Sequence, residues 1–221
     1  MTTVASFSVD YIQYLSPTGE LVGNEIPAIA QDFEKIKSMY ELMVLTRIFD
    51  NKAISLQRTG KLGTYASQLG HEATHVGIGS AMRHEDCFAP SYREYGVMFS
   101  RGVKMSEILL YWGGDERGSD FSGPAHDFPF CVPIATQNTH AAGAALSYKL
   151  RNLPRCTVSV IGDGGSSKGD FLEAINAASA FKLPMVMVII NNGWAISVPR
   201  SKQSSGETLA QKGIAGGLPS L

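Results

Sequence analysis

No apolar run in the 221 residues approaches the roughly 20 that a membrane helix requires; the longest, Leu183–Ile190, is short and broken by Pro184. Cysteine is scarce. Cys87, Cys131 and Cys156 are an odd number without metal-ligand spacing, which excludes a disulfide scaffold and a zinc ribbon and reads as reduced thiols in a cytoplasm. An excess of either charge is also missing: 19 Lys and Arg against 20 Asp and Glu give a net charge of -1, so there is no basic stripe for nucleic acid. The first 15 residues, MTTVASFSVDYIQYL, contain no Lys or Arg, unlike a secretory signal or a transit peptide. The 10 prolines and 23 glycines are scattered rather than massed, and no repeat is visible. What remains is 44% hydrophobic and 18% charged, enough for one substantial core and suited to small-molecule chemistry or protein partners.

Residues 1–30 read as an extended arm punctuated by Pro17, Gly19, Gly23 and Pro27, ahead of a domain spanning 31–221. Asp32 is a candidate N-cap for a long helix whose core face is expected at Phe33, Ile36, Tyr40, Met43 and Val44, with Gly60 as its stop. Further helices are expected over Glu72–Met82 and Ser106–Trp112, separated by the polar loop that holds PSYREYG. Residues 113–133, rich in Gly, Asp, Ser and Pro, read as a long functional loop. Small residues then dominate THAAGAALSYKL, a helix able to pack closely. The strand candidates CTVSVI and MVMVII flank a helix over Asp170–Phe181.

Strand, helix and strand in that order make a βαβ unit with parallel strands, so Asp163 and Asn192 follow equivalent carboxyl ends of neighbouring strands. In open parallel sheets that edge binds ligands. Gly162, Gly164 and Gly165 leave backbone N–H groups open to an anion. A carboxylate and an amide oxygen are hard ligands suited to magnesium shared with a phosphate. The segment GDGGSSKG lacks the Gly-Lys-Ser/Thr ending of a P-loop, and Ser167 stands where a dinucleotide fingerprint needs its third glycine.

These residues, with Asn191, form a pattern similar to the thiamine-diphosphate signature. Together with SYREYG, VPIATQNTHAAGAA, NNGWAIS and TLAQKGIAGGLP, the sequence resembles the alpha subunit of the decarboxylating component of 2-oxo acid dehydrogenase complexes, most like the pyruvate dehydrogenase branch. The resemblance implies an α/β thiamine-diphosphate-binding fold, a parallel sheet flanked by helices. It implies a magnesium ion on Asp163, Asn192 and the main-chain carbonyl of Trp194, and a diphosphate met by Tyr92 and Arg93. Ile134 falls where the family props the cofactor, and Thr136 and Gln137 where some relatives bind potassium, although Cys131 and Val132 replace serines there. The implied reaction is oxidative decarboxylation of pyruvate with acetyl transfer to a lipoyl-bearing acyltransferase. The branched-chain 2-oxo acid branch is the alternative. The pyrimidine-activating glutamate would come from a beta subunit, so no catalytic acid or base is assigned to this chain. The family's usual length implies that the 31–221 domain is truncated at its C-terminus.

Two other classes compete. HEATH, His71–His75, has the zinc-hydrolase spacing with Glu94 as a possible third ligand, and a shortened alpha chain could act as a non-catalytic interaction subunit. Gly70 and Gly77 flank HEATH and weaken it as a helix, while Glu94 adjoins the Tyr92-Arg93 pair. His84, His126 and His140 read as structural.

Overall fold

The computed structural model describes residues 1–23 and 26–221. The arm is irregular apart from a turn closed by an isolated bridge between Leu15 and Leu21, in which Ser16 Oγ accepts the Thr18 and Glu20 N–H groups. Helix α1 spans Phe33–Arg58, and Asp32 caps it by accepting the Lys35 N–H at 3.0 Å. Gly60 follows at φ +73°, a conformation that terminates helices readily.

The expected core face of α1 is a correction. Phe33 is 73% and Tyr40 63% exposed, and Ile36 and Val44 are exposed as well; the buried positions are Thr46, Phe49, Asp50 and Ala53. The helix carries apolar residues on more than one side, so periodicity locates a helix without fixing its inward phase. The inward face is set by α2 (Glu72–Ala81) and α3 (Tyr95–Ser100), both packed against α1. These two helices approach each other closely: a Cβ on Gly96 would stand 2.8 Å from His75 Cβ, and one on Gly79 2.5 Å from Ser100 Cβ.

Three strands, β1 (Cys87–Ala89), β2 (Thr157–Gly162) and β3 (Met185–Ile190), form a parallel sheet in the order β1-β2-β3. The βαβ expectation is met, with α6 (Gly169–Ala180) as the crossover. Strand β1 and helix α3 lie within segments that the periodicity left as loop, being too short to show a period. Alternate residues of β2 serve opposite cores. Val158 and Val160 join Phe49, Ala53, Phe88, Tyr95, Val97 and Ile108, whose helices include α4 (Met105–Trp112). Ile161 faces Ala135, Phe171 and Ile175 on the other side. Helix α5 (Thr136–Leu150) spends its small residues on this second face: Ala141, Ala142 and Ala145 are buried, and Ser159 Oγ donates to Asn138 Oδ1 at 2.9 Å. Helices therefore cover both faces of the sheet. No helix among the described residues is long and apolar enough to cross a membrane.

Candidate active site

Because the three strands are parallel, the loops leaving their carboxyl ends share one edge. Asp163 leaves β2 and is tied to the end of β3 by its N–H, which donates to the Ile190 carbonyl at 3.1 Å. Its side chain is 3% exposed, and Oδ2 is buried without a hydrogen-bond partner. A buried acceptor left bare costs on the order of 1–3 kcal/mol, more for a charged group. The turn behind it is held from below: Ser166 Oγ donates to the Asp163 carbonyl at 2.6 Å, and Lys212 Nζ donates to the Ser166 carbonyl at 2.7 Å. Lys212 lies on α7 (Ala210–Ala215), and burial, followed by the charge of Arg200, pushes its pKa down.

The glycines divide by role. Gly162 is exposed, with open space where a Cβ would go. Gly164 has helical φ of -62°, so no backbone strain demands glycine; its need is steric, because a Cβ there would stand 2.3 Å from Ala195 Cβ. A Cβ on Gly165 would stand 2.6 Å from Ile161 Cγ1 and 3.0 Å from Ile134 Cγ2, which places Ile134 over the turn. Ile134 precedes Ala135, a buried non-glycine at φ +77° whose carbonyl accepts both the N–H and the side-chain amide of Asn138.

After β3, Asn191 Oδ1 accepts the Gly193 N–H at 3.2 Å and Asn192 Oδ1 accepts the Trp194 N–H at 3.0 Å, with Gly193 at φ +82°. These two Asx turns lead into the hairpin of β4 (Trp194–Ala195) and β5 (Val198–Pro199). Trp194 lies opposite Pro199, which has no N–H to offer its carbonyl. An amide oxygen has two lone pairs, so Asn192 Oδ1 keeps one beyond its bond to Trp194.

Tyr92 and Arg93 occupy the loop after β1. Glu94 clamps that loop, accepting the Ser91 N–H at 2.8 Å and the Ser91 hydroxyl at 2.7 Å, and burial pushes its pKa up. The S-x-x-E spacing of Ser91 and Glu94 was available as a signal for this clamp. The Arg93 guanidinium sits 5.5 Å from the Tyr92 ring centroid and donates to the Ser67 carbonyl. The Cys131 N–H donates to the Ser91 carbonyl at 3.0 Å, so the segment that carries Ile134 is bonded to the arginine loop. The structure thus joins Arg93, Ile134, Asp163, Gly164, Gly165 and the Asn192–Trp194 turn along one edge through consecutive contacts.

The family model described as dehydrogenase E1 component matches residues 40–221. The chain belongs to the dehydrogenase E1 component family. The dehydrogenase E1 chain is 44% identical over 186 residues to the pyruvate dehydrogenase E1 component subunit alpha of Acholeplasma laidlawii, covering 84% of this chain and 54% of that protein. It is 39% identical to the protein of the same name from Staphylococcus aureus strain Mu50, covering 96% and 57% respectively. The Staphylococcus epidermidis counterpart is 38% identical with the same coverage. The chain therefore spans a little over half the length of the curated relatives it matches. A solved structure from Mycobacterium smegmatis overlaps 66% of this chain and 25% of that one, with 22% identity and a TM-score of 0.44.

Within this dehydrogenase E1 chain, Glu72 and His75 of HEATH have structural partners, while His71 Nδ1 and His75 Nε2 are buried without one. Glu72 pairs with Arg47 of α1 and accepts the Gly70 N–H at 3.0 Å, and this pairing holds its pKa down to about 2. His75 is fully buried with Nδ1 2.9 Å from Gln68 Oε1, and burial pulls its pKa down to about 3. Among the described residues, no group of three His, Cys, Asp or Glu side chains is disposed to hold a metal. Thr136 Oγ1 donates to Asp170 Oδ2 at 3.3 Å and Gln137 Nε2 to the Val160 carbonyl at 2.8 Å, so both residues hold α5 in place.

Proposed function

We propose that this chain is the cofactor-bearing part of an alpha subunit that decarboxylates pyruvate oxidatively and passes the acetyl group to a lipoyl-bearing acyltransferase. The observation that carries the reading is the bare, buried Oδ2 of Asp163 at the carboxyl end of β2, with Asn192 at the matching end of β3. A buried carboxylate oxygen without a donor suits a hard divalent cation, and magnesium with thiamine diphosphate is the group this donor set fits. Asp163, Asn192 and the Trp194 carbonyl would hold the ion. Arg93, with Tyr92 beside it, would take the diphosphate through a forked guanidinium. Gly162, Gly164 and Gly165 would let the backbone approach the anion, and Ile134 would give apolar support without any part in proton transfer. Bound there, thiamine diphosphate supplies the nucleophilic carbon and the electron sink. The names of the relatives support pyruvate over branched-chain acids, and their designation as subunit alpha supports a companion beta subunit, from which the acid–base glutamate would come. Three free cysteines support a cytoplasmic site of action.

The test is titration calorimetry of the full chain, co-purified with its beta subunit, using thiamine diphosphate with magnesium and again with a chelator. Tight binding that the chelator abolishes is expected; equal affinity in both refutes the metal assignment. Decarboxylation of pyruvate and of branched-chain acids, followed with an artificial electron acceptor, then decides the substrate. Faster turnover of a branched acid would overturn pyruvate alone.

A further inference from the structure

Arg93 does not hold itself. Its guanidinium donates to the carbonyl of Ser67, in a loop with no regular secondary structure between α1 and α2. That loop is bound to Asp50, a fully buried carboxylate on α1. One Asp50 oxygen accepts the Tyr65 hydroxyl at 2.8 Å and the Gln68 N–H at 2.9 Å; the other accepts the Ser67 hydroxyl at 2.6 Å. Gln68 extends the frame to the far side of the arginine loop, its Oε1 accepting the Gly96 N–H at 3.3 Å and facing His75 Nδ1 at 2.9 Å. Three donors from four consecutive residues converge on one buried acid, and the carbonyl among them receives Arg93. A hydrophobic residue at position 50 would be buried there at less desolvation cost, so what the acid adds is the set of hydrogen bonds it accepts from the loop.

We propose that Asp50 is a positioning residue: through Ser67 it fixes the guanidinium of Arg93 in the orientation that receives the diphosphate. This rests on the diphosphate reading of Arg93. In an Asp50→Asn chain the amide keeps the volume and one accepting oxygen but loses the charge, and its NH2 faces either the Ser67 hydroxyl, which must turn from donor to acceptor, or the Tyr65 hydroxyl and Gln68 N–H, so the hold on the Ser67 carbonyl is loosened.

The experiment is a double-mutant cycle on the full chain with its beta subunit, read as the calorimetric dissociation constant for magnesium thiamine diphosphate. Arg93→Ala is expected to weaken binding roughly 10- to 100-fold, the worth of a charge-assisted hydrogen bond. Asp50→Asn is expected to weaken it about fivefold beside Arg93 and less than twofold beside Ala at position 93, because a residue acting through Arg93 has nothing left to position. If Asp50→Asn prevents assembly, Ser67→Ala removes one of the three donors while the carboxylate stays, and the same non-additivity is expected. Equal losses in both backgrounds overturn the positioning role and leave the cofactor reading standing. No saturable binding by the unsubstituted protein overturns both.

Discussion

Gly164→Ala isolates the contact between the Asp163 turn and the β4–β5 hairpin. At φ -62° alanine is conformationally acceptable, and in open space the substitution would stabilise the chain by about 0.4–1 kcal/mol through the unfolded state. The space is not open. The added carbon would stand 2.3 Å from Ala195 Cβ and 3.4 Å from Ala195 Cα. Carbon pairs settle at about 3.5–4.0 Å, so the β4–β5 hairpin must retreat by roughly 1.5 Å. Trp194 and Asn192 retreat with it, while Asp163 stays anchored to Ile190 and Ser166. Overpacking of this kind costs about 1–3 kcal/mol, and a displacement of about 1 Å at a site can cost on the order of 100-fold in rate. Gly169→Ala is the control: five residues on, exposed, with Glu173 Oε1 at 3.8 Å as the one neighbour a Cβ would meet. The assay is urea denaturation of each variant beside calorimetric binding of magnesium thiamine diphosphate. Gly164→Ala is expected to lose stability and most of its affinity, and Gly169→Ala to gain slightly and bind normally. Both variants moving in the same direction would refute the claim that hairpin contact, rather than backbone freedom, requires glycine at 164.

Asp163→Asn is expected to make the ion-free protein more stable by about 1 kcal/mol, or roughly 3 °C in melting temperature, because it removes a bare buried charge. The same change should abolish the magnesium dependence of cofactor binding, so a lower melting temperature in the ion-free variant refutes the orphaned-acceptor argument. Acid sensitivity has a definite sign: burial holds His75 at about 3 when folded against 6.5 unfolded, so the unfolded chain takes up the proton first and stability falls as pH drops from 6.5 toward 3. His71, lowered by burial and by Arg93, adds to this; Glu72, at about 2, adds below pH 4.5; and Glu94, raised by burial, opposes. Melting temperatures measured between pH 7 and 5 should decline in the parent and decline less in His75→Gln, and equal slopes would exclude His75 as the source.

The βαβ unit was legible because both strands and their crossover lie within 34 consecutive residues, Thr157–Ile190, so the pairing of Asp163 with Asn192 follows from local order and handedness. The inward face of α1 was not legible, since it depends on which side α2 and α3 approach. Nor were the supports of the site. Asp50 meets Ser67 through a fold-level contact, and Lys212 reaches Ser166 across 46 residues, with nothing in their neighbours' identity to announce it. In the sequence Gly164 reads as leaving room for an anion, and the structure adds a hairpin pressed against it. HEATH misleads for the same reason: two histidines one turn apart are a zinc pattern, but a zinc hydrolase also needs a third ligand and a free glutamate base, and among the described residues no such third ligand converges and Glu72 meets Arg47.

The acid and the arginine hang from different supports. Asp163, Asn192 and Trp194 belong to the β2–α6–β3 unit and its hairpin, braced by Lys212 on Ser166. Arg93 belongs to the loop after β1, braced by Glu94 and by the Asp50 frame. Between them runs Cys131–Ala135, bonded to Ser91 at one end and resting Ile134 against the Gly165 turn at the other. Ala135 bends this link in a left-handed conformation that costs a non-glycine residue on the order of 1–3 kcal/mol and persists where the surroundings over-determine it. They do so here: Asn138 holds the Ala135 carbonyl twice, at 3.0 Å from its N–H and 3.0 Å from its side chain, and Ser159 holds Asn138. The pairing of β1 with β2 sets the loops side by side, and the doubly fastened bend at Ala135 adds a second tie between them, from the Ser91 carbonyl to the Gly165 turn.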